Sequence, residues 1–84
     1  MPYIKEPLRK ILDEHLDYLH PRTAGELNYC LTKLFIDYVK SHGGVSYQNF
    51  NDIIGAIECS KAELYRRQIV DFENKKIKVN GDVY

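Results

Sequence analysis

Apolar residues in this chain recur at three- and four-residue steps over most of its length, with two short breaks between the runs. That period lines one face of an α-helix, whereas a half-buried strand would need strict alternation. Leu8, Ile11, Leu12, His15, Leu16 and Leu19 predict a first helix over about residues 5–19. Pro7 suits its first turn, where a missing N–H costs nothing. Pro21 closes the run, because it disfavours helical geometry at His20. Thr23 and Glu26 then have capping-box spacing, with the glutamate reaching back to the cap N–H. Leu27, Cys30, Leu31, Leu34, Phe35, Tyr38 and Val39 carry a second helix over about 24–42, ended by Gly43 or Gly44 in the left-handed conformation.

The 84 residues make one small domain, near the size at which a single core is only marginally sufficient. Association between copies is a common remedy when disulfides and metals are missing. Twelve basic and twelve acidic residues balance, so no broad field steers the chain toward nucleic acid or a membrane. Cys30 and Cys59 fall inside predicted helices without zinc-site spacing and read as reduced thiols of a cytoplasmic protein. No apolar run is long enough to span a bilayer, and no signal-peptide pattern opens the chain. Seven tyrosines and no tryptophan suit half-buried surfaces, with an apolar ring and a polar tip.

The stretch Asn51–Arg67, "NDIIGAIECSKAELYRR", admits two readings. In the first, "ECS" is a turn and Ser60 and Glu63 cap a recognition helix over 60–67. Residues 77–84 would then form a wing through the Asn80-Gly81 hairpin signal. This winged helix-turn-helix would read DNA with Tyr65, Arg66 and Arg67. Against it stand Glu58 where a glycine is expected, the acids Glu63, Asp71 and Glu73, and the lack of positive charge.

In the second reading the stretch is one helix over about 47–70, followed by a short segment over 71–84. Phe50, Ile53, Ile54, Ile57, Lys61 and Leu64 share a face that Ile69 and Phe72 continue. Gly55, Cys59 and Ala62 form a seam of small residues, and Gly55 costs about 1 kcal/mol of helix propensity relative to alanine. Close approach by another backbone or a ligand would compensate. The seam faces either the chain's own first helix or a second copy. Tyr29, Thr32 and Ile36 form another stripe on the second helix, readable as ordinary surface scatter or as part of an interface between copies.

"SYQNFNDIIGAIECSKAELYRR" and "KKIKVNGDVY", preceded by "ELNYCLTKLFIDYVKSHGG", resemble a family of small bacteriophage and bacterial proteins of about this length. The resemblance covers the chain from about Glu26 to its end and brings no biochemical function with it. In that family the position of Ser60 is often not a capping residue, which favours the single helix. Relatives often have proline at the position of Asp71, which leaves open whether this chain's helix stops near Val70 or runs toward Asn80. The phage context implied by the resemblance suggests a factor acting against host defence, by sequestering a nucleotide-like ligand or by blocking a host protein.

No nucleophile, base and acid come together in the sequence, and "HGGVSY" lacks the lysine and spacing of a phosphate loop. His20 and His42 suit helix C-termini, where a cation meets the negative end of the dipole. A metal site from His15, Cys30 or Cys59 would require the fold to gather them. The expectation is therefore an all-α protein without catalysis or cofactor. Its second and third helices form an antiparallel hairpin, the first lies across it, and copies assemble into a homo-oligomer. Interface candidates are Tyr29, Ile36, Gly55, Cys59 and Ala62. Candidate ligand residues are Asn51, Asp52, Glu58, Tyr65, Arg66 and Arg67, because arginine pairs with phosphate and tyrosine offers a stacking face. Against the ligand reading, Glu63 and Arg67 have ion-pair spacing, and Glu58 and Arg66 can pair with each other or with neighbours.

Overall fold

The computed structural model describes residues 4–84. Its elements are α1 (Glu6–Leu16), α2 (Ala24–Ser41), α3 (Tyr47–Leu64), a π-helical turn (Tyr65–Ile69) and α4 (Val70–Asn80). The described residues are helical with no strand. The described residues divide into two units, 4–50 and 51–84.

In the first unit, α1 begins after Lys5, whose backbone is extended, with proline in the first turn as its missing N–H allows. It ends three residues earlier than the apolar period suggested. The N–H groups of Tyr18 and Leu19 turn back to His15 and Leu16, three residues away rather than four. The helix tightens and stops ahead of the Pro21 restriction. α2 starts where the threonine signal placed it. The Thr23 hydroxyl oxygen accepts from the Glu26 N–H at 3.0 Å. The Glu26 carboxylate takes a 3.3 Å hydrogen bond from the Thr23 hydroxyl, where a bond to the cap N–H was expected.

The end of α2 is a Schellman motif. His42 is the cap, Gly43 follows with φ +90°, and the Gly44 N–H bonds to the Val39 carbonyl at 2.9 Å. Both glycines have positive φ, so each supplies a conformation that a side chain would strain. Two further carbonyls at this connection are claimed by a side chain. The Asn49 amide nitrogen donates to the His42 carbonyl at 3.0 Å and to the Gly44 carbonyl at 2.7 Å. The Asn49 backbone N–H bonds to the Ser46 hydroxyl at 3.1 Å, which caps α3. Asn49 is 6 % exposed and is the one buried residue among those described. The spacing Ser46-x-x-Asn49 is a capping signal that the apolar pattern overshadowed.

In the second unit, helix continues from Asn51 through every position of the supposed turn. The Ser60 hydroxyl donates back to the carbonyls of Ala56 and Ile57, at 2.8 and 3.0 Å, as a serine does in a helix interior. It does not start a recognition helix. Residues 77–80, assigned to a wing in the winged alternative, belong to α4, which ends at Gly81 with φ +83°. Helix therefore runs on to Asn80, which settles where it stops.

The π-helical turn explains how it runs on. The Val70 N–H bonds to the Tyr65 carbonyl, five residues back. At α-helical pitch Leu64 and Ile69 would point about 140° apart. A turn closed over five residues brings them to the same side. The half-buried Ile53, Ile57 and Ile69 mark the resulting stripe.

No apolar side chain among the described residues is buried. In α2 only Cys30, Phe35, Tyr38 and Val39 reach the half-buried class. Replacing Asn49 by alanine leaves the His42 and Gly44 carbonyls without this donor and is expected to cost about 1–3 kcal/mol. Asn49→Asp, which keeps the shape but offers oxygen to those carbonyls, should cost at least as much. Urea melts followed by circular dichroism measure both, and an unchanged midpoint would remove the clamp from the stability of this connection.

Candidate functional site

Asn51, Asp52 and Glu58 lie on α3, and Tyr65, Arg66 and Arg67 lie in the π-helical turn. All six thus sit on one run of helix in one unit. Gly55, Cys59 and Ala62 share a side between them at four- and three-residue steps, as the seam requires. A Cβ built on Gly55 would meet no atom within 4 Å, so the groove at the glycine is open. Cys59 is a free, exposed thiol, and Cys30 is free and half-buried.

Length separates the two ends of the candidate ligand set. From Asn51 to Arg67 the helix rises about 24 Å. A nucleotide-sized ligand on one helix can meet Asn51 and Asp52 or Tyr65, Arg66 and Arg67, but not both groups. A second surface is needed to bring them together.

At the arginine end Arg66 pairs with Glu63. The Arg66 guanidinium donates through Nη2 to both Glu63 oxygens, at 3.1 and 2.9 Å. Glu63 is half-buried, with its side chain 23 % exposed, while Arg66 is largely in solvent. These hydrogen bonds hold the Glu63 carboxyl below its ordinary value of 4.5; partial burial opposes the shift and the Arg66 charge adds to it. Glu58 lies 3.7 Å from Lys61 instead of meeting Arg66. Eight residues of helix, about 12 Å of rise, separate Glu58 from Arg66, and Lys61 is one turn away. Glu63 is the charged partner at this end that the candidate set left out, although its three-residue spacing from Arg66 was readable.

On α2, Tyr29 and Ile36 are exposed. The Lys33 ammonium lies 5.8 Å from the Tyr29 ring centroid, within cation–π range. Thr32, between them on the same stripe, turns its hydroxyl to the Asn28 carbonyl at 2.8 Å. A shallow hollow of about 570 Å³ runs along Gly25, Asn28, Tyr29 and Thr32. At the far end of α2, His42 stacks on Tyr38 with ring centroids 3.9 Å apart. Its Nδ1 is 2.8 Å from the Tyr38 carbonyl oxygen and 3.1 Å from the Ser41 hydroxyl. Among the described residues no three His, Cys, Asp or Glu side chains gather as a metal site would require. No helix among them is long and apolar enough to cross a membrane.

A family model described as a domain of unknown function (DUF6899) matches residues 1–83. No curated protein and no solved structure matches the chain.

The Glu63–Arg66 pair makes a signed prediction. A carboxyl whose folded-state pKa lies below its ordinary value stabilises the helix above that value, and the contribution disappears as pH falls through the folded one. Acidification from pH 6 to pH 3 should therefore weaken the wild-type helix more than that of Glu63→Gln, whose side chain cannot titrate. Thermal melts by circular dichroism across this range test it; parallel losses in both proteins would rule the pair out.

Proposed function

The chain belongs to this family of unknown function, and we propose that it is a non-catalytic helical binding protein assembled from copies of itself. The observation that carries the reading is the absence of any buried apolar side chain among the described residues. α1 presents Leu8, Ile11, Leu12 and Leu16 half open to solvent, and α2 does the same with Leu27, Leu31 and Leu34. Fully burying one such side chain contributes about 1.5–3 kcal/mol. Helices shorter than about 12–15 residues are marginal alone in water, and α1 has eleven. Apolar faces of this kind gain most of their stability from a partner, and copies of the same chain are always present at matching concentration.

The open seam at Gly55, Cys59 and Ala62, with Tyr29 and Ile36 on α2, supplies interface candidates. Close approach of another helix would offset the helix propensity lost at glycine. A second copy crossing antiparallel near Cys59 would set its Arg66 beside Asp52 and its Arg67 beside Asn51. That arrangement would gather on one pocket the polar groups that a single helix spreads over about 24 Å. In it Tyr65, Arg66 and Arg67 would grip the phosphate and base of a nucleotide-like ligand, and Asn51, Asp52 and Glu58 would read its polar edges. The wide turn at Tyr65–Ile69 favours this end, since π-helical turns occur frequently at functional sites. Sequestering such a ligand, or blocking a host protein, would suit an accessory factor acting against host defence in a bacterial or infected cell.

Native mass spectrometry of the purified protein reads the oligomeric mass and any co-purified small molecule together. A mass of one chain at every concentration would overturn the assembly reading. Gly55→Leu should lower the mass, and retention of the wild-type mass would take the seam out of the interface. Arg66→Ala should abolish uptake of the co-purified ligand; calorimetry showing intact binding would take Arg66 out of the site.

A further inference from the structure

The helix beyond the π-helical turn carries a pattern that neither the seam nor the ligand set uses. Residues 70–79 read Val-Asp-Phe-Glu-Asn-Lys-Lys-Ile-Lys-Val. About a point between Asn74 and Lys75 the order complements its own reverse. Val70 answers Val79, Phe72 answers Ile77, Asp71 answers Lys78 and Glu73 answers Lys76. Apolar meets apolar and acid meets base. Two helices crossing antiparallel bring such reversed positions together, and each contact then occurs twice about a two-fold axis.

The helix places the central pairs on one side. At about 100° per residue, Phe72, Glu73, Lys76 and Ile77 fall within one half of α4, and Asp71, Asn74, Lys75 and Lys78 fall on the other. The outer half is already paired along the helix, with Lys75 at 3.2 Å from Asp71. On the inner half Phe72 is 59 % exposed and Ile77 is 41 % exposed, and Gly81, Asp82, Val83 and Tyr84 line a hollow of about 550 Å³ beside them. The Lys76 ammonium lies 5.5 Å from the Phe72 ring centroid, so the lysine already leans over this face.

The helix dipole accounts for only part of the charge order. Lysines near Asn80 suit a true C-terminus. Acids at Asp71 and Glu73 would suit a true N-terminus, but α4 has none. Its first residue is bonded back through the π-helical turn to Tyr65, so helical hydrogen bonding continues across the boundary and no positive helix end is present there.

We infer that α4 pairs antiparallel with α4 of a second copy, with Phe72 against Ile77 and Glu73 against Lys76 across the two-fold axis. This rests on the reading that the protein self-assembles and names one of the contacts. Its centre is more than three turns from Gly55–Ala62, so it is separate from any contact at the seam.

Glu73→Lys and Lys76→Glu make the test. Each variant alone sets like charges opposite each other twice, whereas a mixture of the two restores opposite charges at both places. By light scattering, each single variant should show a dissociation constant raised by about tenfold or more. A 1:1 mixture, and the double variant E73K/K76E, should recover the wild-type mass. Both side chains project from an exposed helix surface, and an unchanged circular dichroism spectrum separates dissociation from unfolding. Single variants that keep the wild-type mass, or a mixture that fails to reassociate, would overturn the α4 pairing while leaving assembly itself standing. A wild-type protein with the mass of one chain would overturn assembly and this contact together.

Discussion

Two hydrogen bonds from the Asn49 side chain tie the end of α2 to the start of α3. The C-terminal end of α2 leaves carbonyl groups that its own helix cannot satisfy, and two glycines with positive φ turn the chain away. Asn49 sits in the first turn of α3, where its backbone N–H is taken by Ser46 and its amide reaches across to His42 and Gly44. One residue therefore serves the end of one helix and the start of the next. Its burial is affordable because both N–H groups are used.

Beyond that connection, the long helix depends on a change of pitch. An apolar stripe that steps from Leu64 to Ile69 fits neither a three- nor a four-residue spacing, and a straight α-helix would carry Ile69 off the face. Closing one turn over five residues restores the alignment and lets helix continue to Asn80. The same turn holds Tyr65, Arg66 and Arg67. The segment with the richest candidate chemistry is thus also where the backbone departs from α-helical geometry.

What the chain lacks is as informative as what it has. Its helices form without burying an apolar side chain among the described residues. The candidate ligand groups lie along one helix, with Arg66 tied to Glu63 and Glu58 beside Lys61. A site made from them calls for a second surface. The self-complementary order of α4 offers one way for copies to meet, at a place distinct from the small-residue seam.

The helical class and most boundaries were legible in the sequence, because period, caps and glycine stops act locally. Thr23, Pro7 and the Gly43-Gly44 pair needed no knowledge of distant residues. Gly55 stands in open space, and Tyr29 and Ile36 are exposed. Three features were decided only in three dimensions. Asn49 became the one buried residue among those described because the connection folds back on it, and of the spacings open to Arg66 the structure shows the one to Glu63. The helix passed through Tyr65–Ile69 by widening one turn, a choice local propensity does not encode, since it depends on keeping Leu64 and Ile69 on a common face. Sequence thus determined which segments are helical, because caps and period act locally, and the three-dimensional structure decided how the carbonyls and charges left over by those helices are satisfied.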